Sequence, residues 1–422
     1  MDKFGFDEVT SSAGDVQQDA VGSWLTKGGM MDGTDSATAR HEDEAKRNPN
    51  GTADVIDRKG FAELLEDCSS KGTKLKTDDY SAKGKYAIVD QGQQIIAGYT
   101  DQEEGVYSDV PAIIFGDHTR AVKYIDVPFF LGADGTKLLK AKNTGANYKY
   151  LYYALKAAHI PNTGYNRHFK WVKELQFNYP SDEEQIKIVD QLDRLQLLID
   201  KRNEQLNQLD TLIKARFVEM FGNPEDSGNE WEQKPLSDLL NVIGGYAFKS
   251  DQFSEIGGIP VLRIGNINAG VFRPVNMVYW EDDEKLERYA IYAGDLVMSL
   301  TGTVGKDDYG NVCIMGNEYD KYYLNQRNAK LEIKSGLDKY YLSELLKFEC
   351  VKKKLTGISR GVRQANISNK DILNLVVNVP PIELQNQFAA FVTQVDKLKV
   401  AVQESLDELQ TLFDSLMQQY FG

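Results

Sequence analysis

PSDEEQIKIVDQLDRLQLLIDKRNEQLNQLDTLIKARFVEMFG at residues 180–222 and PPIELQNQFAAFVTQVDKLKVAVQESLDELQTLFDSLMQQYFG at residues 380–422 are one segment written twice. They align at an offset of 200 without a gap and share eleven identities over 43 positions. Among these are Pro180/Pro380, Glu183/Glu383, Gln185/Gln385, Leu198/Leu398, Leu212/Leu412 and the closing Phe221-Gly222/Phe421-Gly422. Apolar residues recur at 188, 192, 195, 199, 206, 209, 213, 217 and 220, with Arg202 filling one seam position. Spacing of three and four is the heptad stripe of a helix that packs on another helix. The second copy carries the stripe in the same frame, so Leu192, Leu195, Leu206 and Leu209 are expected to pack with Val392, Val395, Leu406 and Leu409. The prolines are expected in the first turn and the glycines at the terminating position. About 35 helical residues give a rod on the order of 50 Å.

The repeat extends upstream: GYNRHFKWVKELQFNYP (164–180) matches QANISNKDILNLVVNVP (364–380) at Asn166/Asn366, Lys170/Lys370, Leu175/Leu375 and Asn178/Asn378. YKYLYYALKAAHI (148–160) parallels DKYYLSELLKFEC (338–350) as an aromatic amphipathic helix, and GFAELLEDC (60–68) parallels PLSDLLNVI (235–243). Between these landmarks the halves diverge into short β-rich runs broken by glycine, such as PAIIFGD (111–117) and GDLVMSL (294–300). The predicted class is α/β (α+β): a variable domain at 59–179, a long helix at 180–222, a second variable domain at 223–379 and a second long helix at 380–422. The two helices are expected to pair as an antiparallel coiled coil. Residues 1–58, rich in Gly, Asp, Ser and Thr, are read as a mobile extension.

Composition excludes several classes. The chain has 422 residues and three cysteines, Cys68, Cys313 and Cys350, too few and too scattered for a disulfide framework or a zinc ribbon. No apolar run is long enough for a membrane span and no basic-then-apolar leader opens the sequence, so a soluble cytoplasmic protein is expected.

These residues resemble the specificity subunit of type I restriction-modification enzymes. The resemblance covers residues ~60–422 and rests on the repeated Pro-x-x-Glu-x-Gln start and Phe-Gly end, on GDLVMSLTGTVGK (294–306), on RGVRQANISNKDILNLVVNVPP (360–381) and on IIFGDHTRAVKYID (113–126). It implies two target-recognition domains, each reading one half of a split double-stranded DNA site. The helices would set the half-site spacing and dock two methyltransferase subunits, with restriction/translocase subunits joining the complex. S-adenosylmethionine, ATP and Mg would then sit on those partners and none on this chain. Members of this family usually enter the first recognition domain almost at once, so residues 1–58 depart from the pattern.

The net charge of −14 opposes a nucleic-acid partner until its distribution is considered. The N-terminal 58 residues carry −6 and the two long helices −3 and −4, whereas residues 59–179 carry +2 and residues 223–379 carry −3. Eight basic and no acidic residues occupy 137–173, and seven basic residues against Glu349 occupy 347–370, at matched places before the two helices. Such runs suit phosphate contacts, here Lys149, Lys170, Lys352, Lys353 and Lys354. Tyr148, Tyr150, Tyr152 and Tyr153, interleaved with the first run, are assigned to the core. Base reading calls for Arg, Lys, Asn or Gln on tight loops. The candidates are Asp117, His118, Thr119 and Arg120 with Tyr165, Asn166, Arg167 and His168, and Gly302, Thr303, Lys306, Gln326, Arg327, Arg360, Arg363 and Gln364. The bland alternative is that Gly302 shapes a turn and that Asn166 and Asn366 cap helices.

Catalytic readings are poor. GTVGK (302–306) lacks the phosphate-loop spacing, and the four histidines form no zinc motif. The Asn/Asp-Pro-Pro-Tyr/Phe signature of adenine methyltransferases is absent around Pro380-Pro381. The expected role is therefore a non-catalytic DNA-recognition subunit, with no catalytic or metal residues. The alternative of a different class is a coiled-coil adaptor that binds proteins and not DNA.

Overall fold

The computed structural model describes residues 57–422 apart from 133, 227–230, 268–269, 304–307 and 358–363. The expected N-terminal extension lies almost wholly outside the described residues. Both long helices form, as Asp182–Phe221 and Ile382–Phe421, and each has 40 residues. At 1.5 Å per residue each is about 60 Å long, longer than the heptad stripe alone suggests. The prolines do not enter the first turn as expected. Pro180 precedes the N-cap Ser181, whose hydroxyl accepts from Glu184 N, and Pro381 is itself the N-cap of the second helix. Asp182, Glu183 and Glu184 complement the positive end of the first helix. Gly222 terminates it with φ 83°, a conformation that favours glycine.

The helices run antiparallel along the predicted seam. Asp210, past the middle of the first, pairs with Lys399, just before the middle of the second, and Tyr420 Oη donates to Gln191 Oε1 at 2.6 Å. This register sets a pseudo-twofold axis near Gln205 and Ser405. Leu192, with Leu195, Leu406 and Leu409 at its margin, belongs to a core at one end of the pair. Val392 and Val395, with Leu209 at the margin, belong to the core at the other end. Leu206 is half-buried near the axis and joins neither core.

Each half opens and closes with one strand pair. Asp57–Gly60 pairs with Gln176–Tyr179, and Glu232–Pro235 pairs with Val376–Val379, both antiparallel. Inside them the divergent sequences build one topology twice. Leu65–Asp67, Thr136–Ala141, Ala112–Gly116 and Val122–Ile125 form an antiparallel sheet in that order. Its counterpart is Leu240–Gly244, Asn328–Ile333, Leu296–Ser299 and Val312–Ile314. A second sheet in each half contains one parallel pair: Tyr86–Val89 with Phe129–Leu131, and Ile259–Leu262 with Tyr322–Leu324. Short, nearly continuous apolar runs explain strands such as Ala112–Gly116, Leu296–Ser299 and Tyr322–Leu324, which are buried along their length.

The aromatic helices Tyr148–Ala157 and Lys339–Lys347 fasten the domains to opposite ends of the helix pair. Tyr150 is fully buried and its hydroxyl donates to Asn178 O at 2.6 Å; Tyr341 does the same to Asn378 O at 2.8 Å. The repeated terminal phenylalanines complete the exchange. Phe221, at the end of the helix that leaves the first domain, packs on Tyr341 of the second. Phe421, at the end of the helix that leaves the second domain, packs on Tyr150 of the first. Each domain is thus held by the start of one long helix and the end of the other.

Candidate nucleic-acid interface

In the first domain the structure brings together the two stretches that the sequence singled out separately. The loop 117–120 leaves the strand Ala112–Gly116 and meets the loop 163–168. Asp117 O accepts from His168 N at 2.8 Å and from His168 Nδ1 at 3.0 Å, while Asp117 Oδ1 accepts from Phe169 N at 2.8 Å. The short helix Phe169–Val172 has no side-chain cap of its own, so Asp117 supplies a donor's partner from across the fold. Asp117 and His168 are consequently buried, and the expectation that they meet DNA is corrected: they hold the two loops together.

Around this anchor the tips are open. Tyr165 is 84% exposed and its ring stacks on His118 at 4.6 Å with an interplanar angle of 10°. Asn166 and Arg167 are exposed beside it, and Lys170 is exposed with its ammonium over the Trp171 ring. Thr119 donates to Gln91 O, and Arg120 Nη1 donates to Ile160 O at 3.1 Å, so these two brace the loop. Asn166 does not cap a helix; its amide donates to Thr163 O.

The second domain repeats the arrangement as a strand pair. Thr301–Thr303, which follows the strand Leu296–Ser299, pairs with Gln364–Asn366, which precedes the short helix Asn369–Leu373. Ser368, and not Asn366, caps that helix. A Cβ at Gly302 would collide with Asp308 and Tyr309, which is why glycine stands there. Thr303 is exposed and its N–H donates to Asp308 Oδ1 at 2.8 Å. Lys306, Arg360 and Arg363 lie outside the described residues, as does the side chain of Gln364.

The basic runs divide. Lys352 is buried and donates to Asn311 Oδ1 at 2.6 Å, so its expected phosphate contact is corrected to an interior role. Lys353 is exposed and pairs with Glu349, and Lys354 is exposed. Lys149 is also corrected. It pairs with Asp193 of the first long helix, where Tyr153 Oη donates to the same carboxylate at 2.8 Å. Burial, reinforced by Asp193, pushes the Tyr153 phenol up. This is a docking contact. Asp193→Ala should destabilise the first domain by about 1–3 kcal/mol, because the buried Tyr153 hydroxyl loses its partner. Asp193→Asn should cost far less. Equal losses in urea unfolding would show that the carboxylate charge, and not the hydrogen bond, holds the joint.

Gln326 and Arg327 border an open cleft of about 510 Å³ together with Arg263, Asn266, Asn276 and Asn325. The latter four were missed in the sequence. Their one signal is position, since Arg263 directly follows the strand Ile259–Leu262 and Asn325 follows Tyr322–Leu324. Among the described residues no group of His, Cys, Asp and Glu is arranged to hold a metal ion, and no helix is long and apolar enough to cross a membrane.

A family model for the type I restriction modification DNA specificity domain matches residues 57–211 and again 228–410. The chain belongs to the type I DNA specificity family. Among curated members of this family, the MjaVIII type I restriction enzyme specificity subunit of Methanocaldococcus jannaschii is 26% identical over 62% of this chain and 66% of its own length. The EcoBI specificity subunit of Escherichia coli is 25% identical over 42% of this chain and 35% of its own length. The alignments therefore span less than two thirds of these relatives. The crystal structure of a type I restriction-modification system S subunit from M. genitalium shares the fold, with a TM-score of 0.54 and 17% identity, covering 90% of this chain and 98% of that one.

Proposed function

We propose that this chain is the DNA-specificity subunit of a type I restriction-modification complex and catalyses nothing alone. The observation that carries this reading is the duplication of the whole unit. Two domains of one topology but different loop chemistry sit at opposite ends of one helix pair. Such a molecule reads a split, asymmetric site, one half with each loop cluster. Exposed Tyr165, Asn166 and Arg167 present stacking and hydrogen-bonding groups in one half, and Thr303, Gln326 and Arg327 do so in the other. Restriction/translocase subunits would complete the assembly, and S-adenosylmethionine, ATP and Mg would belong to the partners. The acidic helix pair lies between the readers and serves as spacer and as platform.

Co-expression with the neighbouring methyltransferase subunit, followed by single-molecule mapping of N6-methyladenine across a host genome, tests the proposal. A split motif with a methylated adenine in each half is expected. A well-formed complex that neither methylates nor retains DNA at low salt would support the adaptor alternative.

The platform has a pseudo-symmetric surface of its own. Leu198, Leu398, Leu212 and Leu412 are identical in the repeat and all exposed. The antiparallel register places Leu198 level with Leu412, and Leu212 level with Leu398, one heptad to either side of the axis. Two equal apolar patches suit two copies of one partner, the methyltransferase subunit. Leu198→Glu with Leu412→Glu should remove one copy and leave the other, read by native mass spectrometry. Retention of both copies would refute this docking site.

A further inference from the structure

The two domains differ at one equivalent edge, the ends of the parallel strand pair. In the first domain that edge is closed on itself. Asp90, which follows Tyr86–Val89, is held by the buried Lys123, whose ammonium donates to Asp90 O at 2.7 Å and lies 3.5 Å from Oδ1. Gly132, across from it, is packed so tightly that a Cβ would strike Asp90 and Tyr80. Gln91 spends its side chain on Asp134 O at 3.0 Å and His118 N at 3.2 Å.

In the second domain the same edge opens into the cleft. Arg263 stands in place of Asp90, and Asn325, Gln326 and Arg327 in place of Gly132 and its successors. The far wall is built and not loose. Buried Asn266 accepts from Arg263 N at 2.9 Å and donates to Arg273 O at 3.1 Å and Val275 O at 2.9 Å, fixing the loop whose Asn276 carbonyl receives the Arg263 guanidinium. Arg327 O accepts from Leu300 N at 2.8 Å, which places Arg327 beside the recognition strand Thr301–Thr303. Among the described residues the exposed Arg327 side chain makes no ion pair and no carboxylate lines the cleft.

We propose that this cleft is the base-reading pocket of the second domain and that Arg327 recognises a guanine in the second half-site. The inference rests on the DNA-reading function proposed above. The cleft joins an apolar wall of Phe248, Phe253, Ile264 and Val275 to guanidinium and amide groups, with no acid among its described lining residues, and is matched to a base whose edge is acceptor-rich. The O6/N7 edge of guanine in the major groove is the base edge that takes both donors of an Arg fork. Arg263, with one donor tied to Asn276 O, is a positioning residue that shapes the pocket.

The test is the methylation motif written by the full complex carrying wild-type chain, Arg327→Ala or Arg327→Lys. For Arg327→Ala the preference for guanine at one position should fall about 10- to 100-fold, in one half-site only, with the other half unchanged. Arg327→Lys, which keeps the charge but loses the fork, should relax the same position. An unchanged motif with uniformly weaker methylation in Arg327→Ala would make Arg327 a phosphate contact and overturn the proposal, as would a motif fully preserved in Arg327→Lys. If the wild-type complex writes no split motif, the DNA-reading function fails before this inference is reached.

Discussion

Inserting one helical turn into both long helices, at the level of Gln205 and Ser405, should widen the spacer between the two half-sites and leave both half-sites unaltered. The first domain is clamped where the first helix begins and the second ends, through Lys149, Tyr150 and Tyr153 against Asp193, Phe413 and Phe421. The second is clamped at the other end, through Tyr341 and Phe348 against Phe217, Phe221 and Phe388. The helix pair joins the two clamps, so its length sets the distance between them in the proposed ruler role. One turn adds about 5.4 Å, against about 3.4 Å per base step, so the spacer should grow by about one to two base pairs. Insertion into one helix alone should instead break the register that Asp210–Lys399 and Gln191–Tyr420 record. Methylome sequencing reads the result directly. An unchanged spacer from a folded double insertion would remove the ruler role.

Phe217→Ala should be the most damaging single substitution in the helix pair. Phe217 is 1% exposed and lies within 5.0–5.5 Å of the rings of Tyr341, Phe348 and Phe388, with Phe221 at 4.9 Å. Truncating a fully buried phenylalanine costs about 3–5 kcal/mol, because the surrounding rings come from three helices and from the bend at Phe348 and cannot collapse together into the space. Denaturant unfolding followed by tryptophan and tyrosine emission should show that loss. A change below about 1 kcal/mol would mean that the junction is not held by this cluster. The repeat carries Met417 at the matching position, so the first domain's joint relies on Phe413 and Phe421. The two ends of the pair are related in plan but not in packing.

The long helices were legible because a heptad stripe and a gap-free repeat are properties of one dimension. Their boundaries were less so: Ser181 and Pro381 decide where the helices start, and a proline that precedes the cap looks in sequence like a proline inside the first turn. Of the tyrosines that the sequence assigns to the core, Tyr150 and Tyr153 are buried while Tyr148 and Tyr152 are half-buried, and a carbonyl for the hydroxyl makes Tyr150 a stable interior residue. Individual recognition residues were the weakest reading. A polar residue on a glycine-rich loop can face outward or cap a distant helix, and the sequence does not distinguish Asp117 from Arg167. Lys149 and Lys352 belonged to basic runs, yet a helix turns one residue in three or four inward, towards Asp193 and Asn311.

Sequence alone determined that this protein is built twice, that two helices of related pattern must find each other, and that the loops between them vary. Duplication, heptad spacing and β-rich runs are written in local order and need no coordinates. Tertiary structure alone decided that the helices exchange their ends, so that Phe221 serves the second domain and Phe421 the first. It also decided that one strand edge is sealed by Lys123 and Gly132 while its counterpart opens around Arg263 and Arg327. Which polar groups are left free depends on partners far away in the chain, because a buried hydrogen-bonding group must be satisfied by whatever the fold brings to it.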